Sequence, residues 1–98
     1  MSEERLDATV YGRVQGVGFR YLVVTRAMDL ELTGWVANGA DGTVRCVAEG
    51  PRPALEALLN LLEVGPAGAI VDRVTSTWGP ATGGFRSFEV RSGAHRGD

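Results

Sequence analysis

The chain has 98 residues, of which 44% are hydrophobic and 22% charged, and a net charge of −2. That allows one domain with its own core and lacks the basic field that nucleic acid or an anionic membrane would attract. All ten basic residues are Arg, which excludes a Lys Schiff base and a P-loop Lys, and the single cysteine, Cys46, excludes an intramolecular disulfide or a cysteine-based metal cluster.

Residues 6–14 alternate, with Leu6, Ala8, Val10 and Val14 on one face and Asp7, Thr9, Tyr11 and Arg13 on the other. A period of two predicts a strand with one buried face. Gln15-Gly16-Val17-Gly18 breaks the pattern. From Phe19 the period becomes helical, with Phe19, Leu22, Val23, Ala27 and Leu30 on one face. Residues 34–37 read as a second strand. The turn formers of 38–42 close a hairpin into a third strand over 43–49, with Val44, Cys46 and Ala48 pointing one way. In that apolar run Cys46 reads as a buried, inert thiol.

Gly50-Pro51 opens a second helix with an apolar stripe of Leu55, Leu58, Leu59 and Leu62, and Gly65-Pro66 ends it. Strands follow over 70–78 and 85–91, separated by a loop at 79–84. A polar, mobile tail is expected over 92–98. The order β-α-β-β-α-β, with an extra strand, predicts an α+β two-layer sandwich of ferredoxin-like type, as a single domain over 1–98 with its core over about 5–91. No run reaches the apolar length of a membrane span, and the acidic start leads into no apolar signal segment. The expected setting is the cytoplasm.

Two segments carry possible chemistry. In Gly16-Val17-Gly18-Phe19-Arg20, glycines let backbone N–H groups converge at a helix N-terminus, an arrangement that binds anions. Arg20 adds a fork matched to two phosphate oxygens, in a place the helix dipole disfavours for a cation. The same residues also fit a plain strand-to-helix loop with a solvated Arg. Walker A and the dinucleotide fingerprint both fail, the latter because position 21 is Tyr. The second segment ends in Asn38-Gly39. It reads as a turn dipeptide, or as a carboxamide able to hold a water without titrating. His95, the single histidine, reads as a solvated tail residue, and no spacing suits a metal.

Taken together, Tyr11-Gly12-Arg13-Val14-Gln15-Gly16-Val17-Gly18-Phe19-Arg20 and Gly34-Trp35-Val36-Ala37-Asn38 resemble the two signatures of acylphosphatases. Asp41-Gly42-Thr43-Val44, Ala48-Glu49-Gly50-Pro51 and Phe88-Glu89-Val90-Arg91 are also similar to that family. The resemblance implies hydrolysis of the carboxyl-phosphate bond of a small acyl phosphate by direct attack of water, with no metal, no cofactor and no phosphoenzyme. It implies a phosphate-binding loop of Gln15, Gly16, Val17, Gly18 and Phe19, Arg20 on the same phosphate, and Asn38 orienting the water. Inorganic phosphate is then both product and competitive inhibitor, and the expected enzyme is a monomer without nucleic-acid or membrane partners.

Two departures stand out. Some animal members end just after the last strand, and their terminal carboxylate pairs with the catalytic Arg; here residues 92–98 follow. Some members carry Thr after the catalytic Asn, where this chain has Gly39. Three rival readings remain. One is a carbamoyl-phosphate-handling domain like that at the front of large hydrogenase maturation proteins. Another is an anion-binding regulatory module. The third is an RNA-binding sheet, disfavoured by the lack of aromatics on the third strand.

Overall fold

The computed structural model describes residues 3–91. The elements are β1 (Glu4–Arg13), α1 (Phe19–Asp29), β2 (Thr33–Asn38), β3 (Val44–Gly50), α2 (Arg52–Val64), β4 (Ile70–Pro80) and β5 (Phe88–Arg91). Five strands form one sheet in the order β4-β1-β3-β2-β5. The pairings are antiparallel except β2 with β5, which run parallel. This is the expected ferredoxin-like α+β sandwich. The expected tail and His95 lie outside the described residues.

Alternation does what the sequence predicts. Leu6, Ala8 and Val10 from β1, Val36 from β2 and Val44, Cys46 and Ala48 from β3 meet the two helices in one core. In α2, Leu55, Leu58 and Leu62 are fully buried, and each contributes about 1.5–3 kcal/mol by leaving water. Pro51 precedes the first turn of α2 and Gly65, at φ 71°, follows the last.

Two details differ from expectation. In α1 the buried residues are Phe19, Val23 and Ala27, and Val24, not Leu22, joins Leu30 in packing against the core. The last strand is short: Phe85 is not in it. Residues 81–87 must carry the chain from β4 at one edge of the sheet to β5 at the other, and only what remains can pair. Phe85 instead lies under the guanidinium groups of Arg5 and Arg91, at 5.7 and 5.9 Å.

The face of the sheet away from the helices is not bare. Val47 and Ala37 are buried there too, outside the helix-side cluster. Arg73 stacks on Tyr11 at 4.0 Å, and Arg45 and Arg91 approach Trp35 at 5.5 and 5.2 Å. At the sheet's end Arg52 stacks on Trp78 at 3.6 Å. A planar guanidinium suits such contacts better than an ammonium.

Candidate active site

Between β1 and α1 the backbone turns through two left-handed residues, Gly16 at φ 75° and Gly18 at φ 81°, with Val17 between them. Alternation of this kind aims successive N–H groups to one side. Gly18 is also the residue that caps α1. No side chain caps the helix there, and its first turn holds no acid. The N–H groups that a helix leaves unsatisfied at its start, and the positive end of its dipole, are therefore offered to an external anion. A Cβ at Gly16 or Gly18 would meet nothing within 4 Å. Glycine is required there by the backbone angle and not by space.

Arg20 is the second residue of α1 and is half-buried. Asn38 ends β2, opposite Val44 on β3, and is 8% exposed. Its pairing with Val44 fixes its backbone, and its burial limits the freedom of its side chain. Arg20 and Asn38 line one cavity of about 350 Å³ together with Gly16, Gly18 and Phe19. Residues that are 18 apart in sequence thus share one concavity, as the resemblance implies. Gln15 and Val17 are not among its lining residues. Val17 packs against the core, and the Gln15 carboxamide turns towards the hairpin after Asn38.

The cavity is also lined by four residues that sequence reasoning did not place in the site: Val14, Tyr21, Val24 and Val90. Tyr21 and Val24 follow Arg20 on α1, and the Val24 position, one turn on, was the available signal. Val90 arrives from β5 through its pairing with Val36, which no local pattern announces. Tyr21, Val24 and Val90 give the cavity an apolar wall beside Arg20. Among the described residues, none that lines the cavity is a carboxylate or a histidine. Among the described lining residues Arg20 carries the formal charge, a guanidinium whose fork suits an anion.

The turn after Asn38 is tightly closed. The Gly39 N–H donates to the Thr43 carbonyl at 2.8 Å, and the Gly42 N–H donates to the Gly39 carbonyl at 3.2 Å. The Thr43 hydroxyl donates to Asp41 Oδ1 at 2.6 Å and the Thr43 N–H at 3.2 Å. These two bonds hold the Asp41 carboxyl below its ordinary range. A Cβ at Gly39 would lie 2.7 Å from both Asp41 Oδ1 and Thr43 Oγ1. Any side chain at this position would therefore press on the hydrogen bond between Thr43 and Asp41.

A larger cavity, about 760 Å³, lies over the opposite face of the sheet. Asn38 touches it as well, but its one cation, Arg45, is engaged by Asp7 through bonds of 2.8 and 3.2 Å. Its described lining includes no glycine nest and no helix N-terminus, features that the smaller cavity has. Among the described residues no three His, Cys, Asp or Glu side chains stand close enough to hold a metal. No helix of the described residues is long and apolar enough to cross a membrane.

Comparison with known proteins gives the family and agrees with the fold. A family model for acylphosphatase matches residues 6–90. An acylphosphatase of Salinibacter ruber is 48% identical over 90 residues, covering 92% of this chain and 95% of its own. One of Mycolicibacterium vanbaalenii is 49% identical over 90 residues, covering 92% and 97%. The crystal structure of an acylphosphatase from Bacillus subtilis superposes with a TM-score of 0.86 at 36% identity, over 90% of this chain and 98% of that one. By sequence along nearly its whole described length, and by fold, this chain belongs to the acylphosphatase family, hydrolases that act on acyl phosphates.

Proposed function

We propose that the cavity between the glycine loop, α1 and the end of β2 is where this acylphosphatase works, with the phosphoryl group held by Arg20 and by backbone N–H groups of residues 15–19. The observation that carries the reading is that Arg20, Gly16, Gly18 and Asn38 line one cavity. Asn38 accepts a hydrogen bond from a water and fixes it in line with the carboxyl-phosphate bond. The water oxygen bonds to phosphorus as the bridging P–O bond breaks. The carboxylate leaves with the electron pair of that bond, and the water's proton passes to a phosphoryl oxygen.

The substrate's anhydride is already activated, so positioning and charge stabilisation suffice. Such a reaction needs no side-chain base, and among the described lining residues there is no carboxylate or histidine. The acyl group lies against Tyr21, Val24 and Val90, whose apolar surface asks for an apolar substituent. The phosphate product occupies the same nest and inhibits competitively. The reading treats the chain as one monomeric domain that uses no metal or other cofactor, and as a cytoplasmic protein; the unpaired, buried Cys46 suits a reducing compartment.

Replacing Arg20 tests the assignment. Arg20→Gln keeps a native circular dichroism spectrum and loses about 2.7–4 kcal/mol of transition-state stabilisation, by analogy with the loss of one oxyanion donor. The measurement is benzoyl phosphate turnover with EDTA present. Wild-type kcat/KM in the variant would remove Arg20 from the site, and loss of wild-type turnover in EDTA would overturn the metal-free mechanism.

A further inference from the structure

The side chain of Gln15 makes two bonds that the phosphate-binding role of its loop does not use. Its Nε2 donates to the Gly39 carbonyl at 2.8 Å and to the Thr43 carbonyl at 3.0 Å. Both partners are carbonyls, so the amide orientation follows from the contacts themselves. Gly39 is the residue after Asn38, and Thr43 is the residue before Val44, which pairs with Asn38. One primary amide therefore grips both strands of the hairpin, one step beyond the rung that carries Asn38.

The sheet itself leaves a gap at this point. β1 pairs with β3 only as far as Val10 opposite Val44. Beyond it, Tyr11, Gly12 and Arg13 pair with β4 alone, through a bulge between Tyr11 and Gly12. The hairpin tip thus runs past its last backbone rung with β1, while the chain of β1 runs on into the glycine loop. Gln15 bridges that gap from the first residue of the loop. Its two proton donors match two carbonyls that the short turn presents side by side.

We infer that Gln15 is a positioning residue: its carboxamide fixes the distance between the phosphate nest and Asn38, and so holds the water in line with the phosphorus. The inference rests on the proposed role of Asn38. Arg20 and the loop N–H groups bind phosphate without reference to the hairpin. Loss of the clamp therefore leaves phosphate binding intact and misplaces the nucleophile. Displacements of about an ångström in such geometry cost up to about a hundredfold in rate.

The experiment is a double-mutant cycle on kcat, with inorganic phosphate inhibition measured alongside. Gln15→Met keeps length and removes both donors. The expected result is a kcat lower by about ten- to a hundredfold, with the phosphate inhibition constant within about twofold of wild type. In an Asn38→Ala background the same change has almost no further effect, because the group it positions is gone. Should Gln15→Met fail to fold, Gln15→Asn keeps the amide but falls one methylene short, and the same pattern is expected of it. A wild-type kcat in a folded Gln15 variant with Asn38→Ala inactive overturns the clamp alone. Full additivity of the two losses, or a fall in phosphate affinity matching the fall in kcat, overturns it as well. A wild-type kcat in Asn38→Ala overturns both the clamp and the role of Asn38.

Discussion

Glu49 holds Thr82 twice: its Oε2 accepts the Thr82 N–H and the Thr82 hydroxyl, each at 2.9 Å. Its Oε1 accepts the Gly83 N–H at 3.0 Å, and Arg5 stands 3.5 Å away. Glu49 is 3% exposed. Burial alone would raise its pKa, but the bonds from Thr82 and Gly83 and the charge of Arg5 outweigh it and lower the value from the ordinary 4.5. The folded state thus favours the carboxylate. Its stabilisation is present above pH 4.5 and is lost as pH falls through the lower folded value. Glu49→Gln turns an amide donor towards these donors and is expected to cost about 1–3 kcal/mol at neutral pH. The variant's stability should then change less than wild type's between neutral and acid pH. Urea melts of both proteins across that range check this.

The glycine nest makes a prediction that separates backbone angle from space. Gly18→Ala adds a methyl group to open space but forces a left-handed angle, at about 1–2 kcal/mol. Asn tolerates that angle better. Gly18→Asn should therefore melt between wild type and Gly18→Ala. If both variants fold, phosphate affinity should fall in the same order as the strain, as read by calorimetry. Equal melting temperatures for all three would show that the angle carries no cost.

Asn38 should affect turnover and spare affinity. It has no charge, and its effect on a bound water is expressed mainly in the transition state. Asn38→Ala is expected to be nearly inactive and to bind inorganic phosphate as wild type does. Asn38→Asp places a negative charge in the lining and should lose both binding and turnover. An active Asn38→Asp enzyme would mean that position 38 serves only the turn.

Cys46 should be chemically silent in the folded protein. Burial, with a smaller contribution from the charge of Asp7, pushes its thiol up to about 12, so almost no thiolate exists at neutral pH. A thiol titration with Ellman's reagent should find no reactive group in buffer and one per chain in guanidinium. Labelling in buffer should be limited by opening of the sheet. Rapid labelling of the native protein would contradict the packing around β3.

The strand periods, the helical faces and the turn chemistry of this chain are local, and they were legible in the sequence. So were the glycines of the nest and the helix-start position of Arg20, because both follow from neighbours in the chain. What the sequence hid is non-local. Nothing near Val90 says that it will pair beside Val36 and enter the cavity. Nothing near Phe85 says that residues 81–87 must cross the sheet instead of extending β5. Glu49 alternates like an outward-facing acid, and only the arrival of Thr82 and Gly83 makes it a buried anchor. Gln15 was legible as part of a phosphate loop, but its side chain answers to a turn 24 and 28 residues away. Leu22 and Val24 flank the buried Val23 on either side of α1, about 100° away in each direction, so a modest roll of the helix decides which of them packs.

The strand order β4-β1-β3-β2-β5 places consecutive strands β4 and β5 at opposite edges. This has a kinetic consequence. Only β2 and β3 can pair through a short turn; β1 must find β3 and β4 across long stretches of chain, with Glu4 meeting both Gly50 and Pro80. Closing such loops before their contacts form slows folding, towards the millisecond-to-second range typical of non-local topologies. β5 has nowhere to dock until β2 is in place, and its crossover is anchored on a β3 residue, Glu49. The cavity wall at Val90 is therefore expected to form late in refolding, after the β2–β3 pairing on which β5 docks.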